Sequence, residues 1–400
     1  MRDFSYINDF ENLGFGMFVH FGVYSVEGKG EWYRHMYNVD RAKYDKLIPK
    51  FKVNKDWAKK LVKAAKSAGA KYITLTTRHH DGFSLYDTKG LNDYDTVHSM
   101  GRDLVREFVD ACNEGGIVPF FYHTLLDWYN ADYTQNFPAY IDYLIKSVEI
   151  LCSSYGKIGG LWFDGMWNKP DADWQEDRLY ATIRKYQPTA MIINNSGMCA
   201  LGKVGNYELD SVTFERGKPG HVESDGRPRA SEMCQVFNDH WGYAKNDFNY
   251  KSLGSIIEDL VDCRAAGSNF LLNVGPMGNG KLRDIDAALL SELGKWVKFN
   301  KEFIYKARPA DITADGAQVL FDGKYYYAAI KNVPMSADPD VAKFSDNKTE
   351  IKINTDKKVV KAAWLDNGKR VRIKKNAFMP DPFFYGYSGS VRILRFELEG

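Results

Sequence analysis

The feature that most restricts the fold is an alternation: apolar, β-rich runs are interleaved with stretches of helical period through the first three quarters of the chain. "FGMFVHFG" (15–22) is followed by "DWAKKLVKAAKSAGA", whose apolar positions recur at helical spacing and which closes at Gly69. "KYITLTT" (71–77) leads to "GRDLVREFVDACNEGG", and "IVPFFYH" (117–123) to a helical stretch around 138–155. "GGLWFDG" precedes another around 173–186, and "AMIINNS" (190–196) is a fifth strand candidate. "LGSIIEDLVDCRAAG" then precedes "NFLLNVGP" (269–276), which runs into "RDIDAALLSELGKWVKFN". Residues 197–250 are irregular, with room for one or two more short strands. Strands that alternate with helices pair in parallel through right-handed crossovers, so six to eight such units predict a (β/α)8-like barrel over residues 1–303. A doubly wound open sheet is the competing architecture.

The positions of the polar residues favour the barrel. His20, His79 with His80, Tyr122 with His123, Asp164, and Asn194 with Asn195 all fall at or just past the C-terminal ends of their strands. A barrel gathers those ends on one face, where active sites are built, whereas an open sheet spreads them along a line. Beyond "IYKARPADIT" the character changes. "AQVLFDGKYYYAAIKN", "TEIKINTD", "VVKAAWLDNGKRVRIKK" and "GSVRILRFELEG" alternate at period two and are broken by DG and DNG turns. They predict a C-terminal β-sandwich over 304–400.

Composition removes several function classes. Fifty-four Lys and Arg against 52 Asp and Glu give a net charge of +2 with no long basic run, which argues against nucleic-acid and anionic-membrane partners. No apolar run approaches the roughly 18 residues of a membrane helix, and "MRDFSYINDFENLG" has no leader pattern. Read as it stands, the sequence predicts a cytoplasmic protein, or a secreted one if a leader preceded it. Five cysteines, Cys112, Cys152, Cys199, Cys234 and Cys263, have no CxxC spacing and predict buried thiols, not a disulfide framework.

Asp164 ends an apolar strand and stands between Trp162 and Trp167. A fixed, ionised carboxylate in a site shaped for a sugar ring is what attack at an anomeric carbon requires. Such a nucleophile needs a partner acid, and the segment "NYELDSVTFERGKPGHVESDGRPRASEMC" offers Glu208, Asp210, Glu215, Glu223 and Glu232, among which spacing does not choose. The paired histidines of "TTRHHDGFSLYDTK" suit hydrogen bonding to a polyhydroxylated ligand. Zinc is the rival reading, but adjacent strand residues point to opposite faces and no HxH or HExxH occurs. In "GKGEWYRHMY", Glu31 and Trp32 are a further hydrogen-bonding and stacking pair.

These stretches resemble glycoside hydrolase family 29, the retaining α-L-fucosidases, across most of residues 13–306. The HHDGF and WFDG motifs, in that order on successive strands, are the most specific part of the match, and "EMCQVFNDHWGY" and "NFLLNVGPMGNG" extend it. The resemblance implies a barrel plus β-sandwich, a fucosylated glycan as substrate, no cofactor and no metal. It further implies Asp164 as nucleophile of a double displacement, and a fucose pocket of His20, Glu31, Trp32, His79, His80, Tyr122 and Trp162, with Trp241 near the sugar methyl. For the acid/base, "DSVTFE" matches the family's T-x-E pattern at Glu215, and Glu232 in "SEMC" is its rival. At "INNSGM" the chain departs from the family's N-D-R-W-G, losing an arginine that contacts the sugar, with Arg216 the candidate replacement. Two other functions compete: a metal-dependent hydrolase on the same barrel, which chelators would inactivate, and a non-catalytic fucose-binding protein, which would not turn over an aryl α-L-fucoside.

Overall fold

A computed structural model describes residues 3–196, 204–220, 222, 226–335 and 349–399. Glu223 and Cys199, both singled out in the sequence, lie outside the described residues. Eight parallel strands close into a barrel in chain order: β1 (Phe15–Val19), β2 (Tyr72–Arg78), β3 (Val118–Thr124), β4 (Gly160–Asp164), β5 (Met191–Asn195), β6 (Ser211–Glu215), β7 (Ala230–Val236) and β8 (Asn269–Val274). The expected barrel is therefore the observed one, and the described residues of the irregular segment hold two strands. β1, β2, β5, β7 and β8 are buried along their whole length, as parallel strands covered on both faces must be.

The longer helices are α1 (Ser5–Leu13), α2 (Trp57–Ala68), α3 (Leu104–Gly115), α4 (Phe137–Ser154), α5 (Glu176–Tyr186), α6 (Leu253–Ala265) and α7 (Asp284–Phe299). Each of α2 to α4 follows the strand-then-helix order read from the period. α1 has a different task. Its Tyr6, Ile7 and Phe10 join Tyr72, Phe120, Met191 and Ala230 in the barrel core, so it closes the end at which the strands begin. The opposite end is left for the site.

The chain divides into two compact units, residues 1–250 with 269–290, and residues 251–268 with 291–400. The second unit holds two antiparallel sheets. One has three strands, Thr313–Asp315, Ile351–Asn354 and Ala377–Phe378; the other has five, in the order Val359–Trp364, Val391–Leu398, Tyr326–Lys331, Gln318–Phe321 and Arg308–Pro309. Ile351, Ile353 and Phe378 of the first sheet share one core with Ala328, Trp364, Leu394 and Phe396 of the second, which makes the pair a sandwich.

Candidate active site

The register of the barrel decides which side chains meet. Tyr122 pairs with Trp162, Thr124 with Asp164, and Asp164 with Asn195, so these residues share the inward face of β3, β4 and β5 at successive levels. Their chain neighbours face out. His123 Nδ1 donates to Thr124 O at 2.7 Å, and Asn194 donates to Tyr180 Oη at 3.0 Å, both away from the barrel interior. His79 and His80 escape this alternation because the register slips between Thr76 and Arg78 and β2 ends there.

Two glycines fix the exits of the key strands. Gly165, next to Asp164, has φ 100°, and a Cβ there would stand 2.7 Å from the Leu126 nitrogen. Gly82, after the two histidines, has φ 79°, and its Cβ would meet Tyr129 and the Asp127 carboxylate. No other residue fits either turn without moving backbone or a buried acid.

One pocket opens at the C-terminal end of the barrel. His20, Trp32, His79, His80, Tyr122, Trp162, Asp164, Glu215 and Trp241 line it, all of them expected from the sequence. Phe18, Trp167, Asn195 and Cys234 line it too and were not among the expected site residues. Trp32 stacks on Trp167 at 6.0 Å and meets His80 edge-on at 5.4 Å, forming an aromatic wall beside Asp164. Glu31 is not among the lining side chains. Its buried carboxylate accepts the Gly242 N–H at 2.6 Å and so holds the loop that carries Trp241.

Asp164 is 16% exposed and receives three hydrogen bonds from side chains: Tyr122 Oη at 3.0 Å on Oδ2, and Trp167 Nε1 at 3.1 Å and Asn195 Nδ2 at 3.2 Å on Oδ1. Burial pushes its carboxyl above the ordinary range, and these donors pull it back toward the ionised form. Glu215, at the end of β6, accepts from Asn195 Nδ2 at 2.8 Å and from Trp241. Its carboxyl is pushed up by burial first and by the negative charge of Asp164 second. Two carboxyls with unequal donors and mutual repulsion are an acid/base pair in the making.

The histidines are set as acceptors. The Thr124 hydroxyl donates to Leu126 O at 2.5 Å, so the 2.6 Å contact between Thr124 Oγ1 and His80 Nδ1 is donated by the imidazole. His80 Nε2, 3.5 Å from Asp164 Oδ2, is then a bare lone pair. Asn273 Nδ2 donates to Trp241 O, which leaves Asn273 Oδ1 to accept from His20 Nδ1 at 2.7 Å. Burial pushes both imidazoles down to about 3, so they stay neutral. A pocket offering lone pairs takes a ligand that supplies hydroxyl donors. His79 stacks parallel to Tyr122 at 5.5 Å, with Nδ1 buried and unpartnered among the described residues. Among those residues no set of three His, Cys, Asp or Glu side chains is placed to hold a metal ion.

The remaining acidic candidates are engaged elsewhere. Glu208 and Asp210 precede β6, at the opposite end of the barrel, and pair with Arg184 at 3.0 and 2.5 Å; Asp210 also pairs with Arg227. Glu232 is sealed inside the barrel beneath the pocket. It accepts from Tyr72 Oη and from Trp162 Nε1 at 3.0 Å, and burial pushes its carboxyl up to about 7. Arg216 is exposed, lies over Trp241 at 5.0 Å and donates to Asp239 O at 2.9 Å, so it does not enter the pocket.

A closed barrel with two half-buried carboxyls facing one aromatic pocket defines a glycoside hydrolase. The family profile described as Alpha-L-fucosidase matches residues 5–302, and the chain belongs to that family. It is 29% identical to the tissue alpha-L-fucosidase of Mus musculus over 334 residues, covering 75% of this chain and 71% of that protein. It is 24% identical to the plasma alpha-L-fucosidase of Homo sapiens, covering 74% and 68%. The alpha-L-fucosidase isoenzyme 1 structure from Paenibacillus thiaminolyticus superposes with a TM-score of 0.86 at 29% identity over 99% of each chain. A fucosidase structure from Bacteroides thetaiotaomicron, 22% identical, shares the fold with a TM-score of 0.83 over 100% of this chain and 96% of that one.

Proposed function

We propose that this chain is a retaining exo-α-L-fucosidase that releases terminal α-L-fucose from glycans, with Asp164 as nucleophile and Glu215 as acid/base. The observation that carries this reading is the shared donor. Asp164 Oδ1 and Glu215 Oε2 lie 3.2 and 2.8 Å from the same Asn195 nitrogen, so they are at most 6.0 Å apart. If the two oxygens lie along the amide's two N–H directions, about 120° from each other, the separation is about 5.2 Å. Retaining enzymes hold their carboxyls about 5–5.5 Å apart, whereas inverting enzymes leave about 6.5–9.5 Å for a water.

In the first step Asp164 attacks the anomeric carbon while Glu215 protonates the departing glycosidic oxygen. In the second, Glu215 takes a proton from water, which displaces the enzyme carboxylate and returns the original anomeric configuration. The lone pairs of His20 and His80 receive sugar hydroxyls, and Phe18, Trp162 and Trp241 offer apolar faces for ring C–H groups and the methyl. The names of the relatives support the fucosyl specificity. Against a non-catalytic binding protein stands the carboxyl pair itself, since binding alone gives no reason to hold two acids together in a buried site.

Replacing Asp164 with Asn keeps the pocket's shape and removes the nucleophile. Turnover of an aryl α-L-fucoside should fall by roughly 10⁴-fold or more, fucose should still bind, and azide should restore part of the rate with the inverted β-fucosyl azide as product. Near-normal turnover in this variant would remove Asp164 from the role.

A further inference from the structure

We propose that Asn195 is the positioning residue of the catalytic pair: one amide nitrogen, anchored through Thr213, sets the spacing of Asp164 and Glu215. This rests on the retaining fucosidase reading and deepens it. The register builds the contact. Asn195 is paired with Asp164 across β4 and β5, and it lies two residues beyond Ile193, whose partner on β6 is Ser211. The same two-residue step from Ser211 reaches Thr213, and another reaches Glu215 on the same face.

The amide's orientation follows from its three neighbours. Asp164 and Glu215 are acceptors when ionised, so the group that faces both is the NH₂. Thr213 Oγ1 then donates to Asn195 Oδ1 at 2.9 Å and stops the amide from turning. Asn195 is only 2% exposed, and no other described side chain hydrogen-bonds to both acids. Tyr122 and Trp167 serve Asp164 alone, and Trp241 serves Glu215 alone. A side chain with one donor cannot do this. A carboxylate at 195 would add a third negative charge between the other two.

Removing the donor has a defined electrostatic consequence, because a hydrogen bond to a carboxylate favours its ionised form. The other groups facing the pair bear on the same titrations. His80 and Tyr122 stand at Asp164 and Arg216 and Cys234 at Glu215, with His20 and His79 alongside. Burial holds the three histidines, Tyr122 and Cys234 neutral, which leaves Glu232, pushed up to about 7, as the neighbouring group to be subtracted.

The test is the pH profile of kcat/KM on a fucosylated oligosaccharide, whose leaving group needs the proton, measured for the full chain with Asn195→Ala, Thr213→Val and, to subtract its titration, Glu232→Gln. Asn195→Ala should lower kcat by about 10- to 100-fold with KM changed little, and should move both limbs of the profile to higher pH. Thr213→Val, which loosens the amide without removing it, should shift the limbs the same way by less, and it carries the test if the alanine variant does not fold. Unmoved limbs with a loss confined to KM would overturn the proposal, leaving Asn195 a wall of the pocket. Should Asp164→Asn remain active, the reading of the pair fails instead, and the two failures are distinct.

Discussion

Glu215 and Glu232 stand on adjacent strands, both inward, the first half-buried and the second fully buried, and both pushed toward the protonated form. They differ by one layer of the barrel: Glu232 pairs across the sheet with Thr213, two residues below Glu215. That step changes everything around the carboxyl. Glu215 lines the pocket and shares the Asn195 donor with Asp164, while Glu232 is 1% exposed and closed over by Tyr72 and Trp162. A raised carboxyl is therefore no sign of a general acid by itself. On the proposed mechanism the acid is the one that has both a path to the substrate and a charged partner, and the other is a strut that orients the Trp162 indole.

Three measurements press on this contrast. The largest effect is expected for Glu215→Ala on a fucosylated oligosaccharide, whose poor leaving group needs the proton; kcat/KM should fall by about 10²- to 10⁴-fold, and far less on a fucoside with an acidic phenol. Equal losses on both substrates would place the acid elsewhere. His80→Ala should be next. Loss of the acceptor beside Asp164 should weaken transition-state binding by about 1–3 kcal/mol, and a chelator added to either wild type or variant should change nothing.

The smallest kinetic effect belongs to Glu232→Gln, which keeps an acceptor for Trp162 and should change turnover by less than about tenfold. Its signature is in stability. The folded-state carboxyl titrates at about 7 against 4.5 unfolded, so wild type is most favoured below the unfolded value and loses stability as pH rises through that window. The loss is on the order of 3 kcal/mol, and urea unfolding at pH 5 and pH 8 should show it in wild type and not in the glutamine variant.

The same contrast explains what the sequence made legible. β1 to β5 and β8 were readable because continuous apolar runs with helical stretches after most of them leave few alternatives. β6 and β7 were not. "SVTFE" and "ASEMCQV" carry Thr213, Glu215, Ser231, Glu232 and Gln235, so the polar residues of the site and its support break the apolar signal. No helix of the described residues separates β5 from β6 or β6 from β7, which removes the other half of the pattern.

Within the site, strand ends were sufficient to bring His20, His79, His80, Tyr122 and Asp164 to one face, and the family resemblance added Trp162. They were not sufficient for Glu31, whose partner Gly242 lies far along the chain, nor for Asn195, Asn273 and Thr124. An asparagine at a strand end has no chemical mark of its own. Its function comes from the register of three strands, and period-two alternation is also what turns His123 and Asn194 away. The sandwich needed no such information, since strands such as Ile351–Asn354 alternate buried and exposed as they stand.

The central claim, that Asp164 and Glu215 face each other across the scissile bond, is tested most directly by the product formed when azide is added to Glu215→Ala with an activated aryl α-L-fucoside. Asp164 still forms the fucosyl-enzyme and azide needs no base, so the product should be α-fucosyl azide, with retained configuration, and the rate should rise with azide. Glu232→Gln under the same conditions should give no azide-dependent gain. Retained azide product from a Glu232 variant, with none from Glu215→Ala, would reverse the two glutamates and contradict the account.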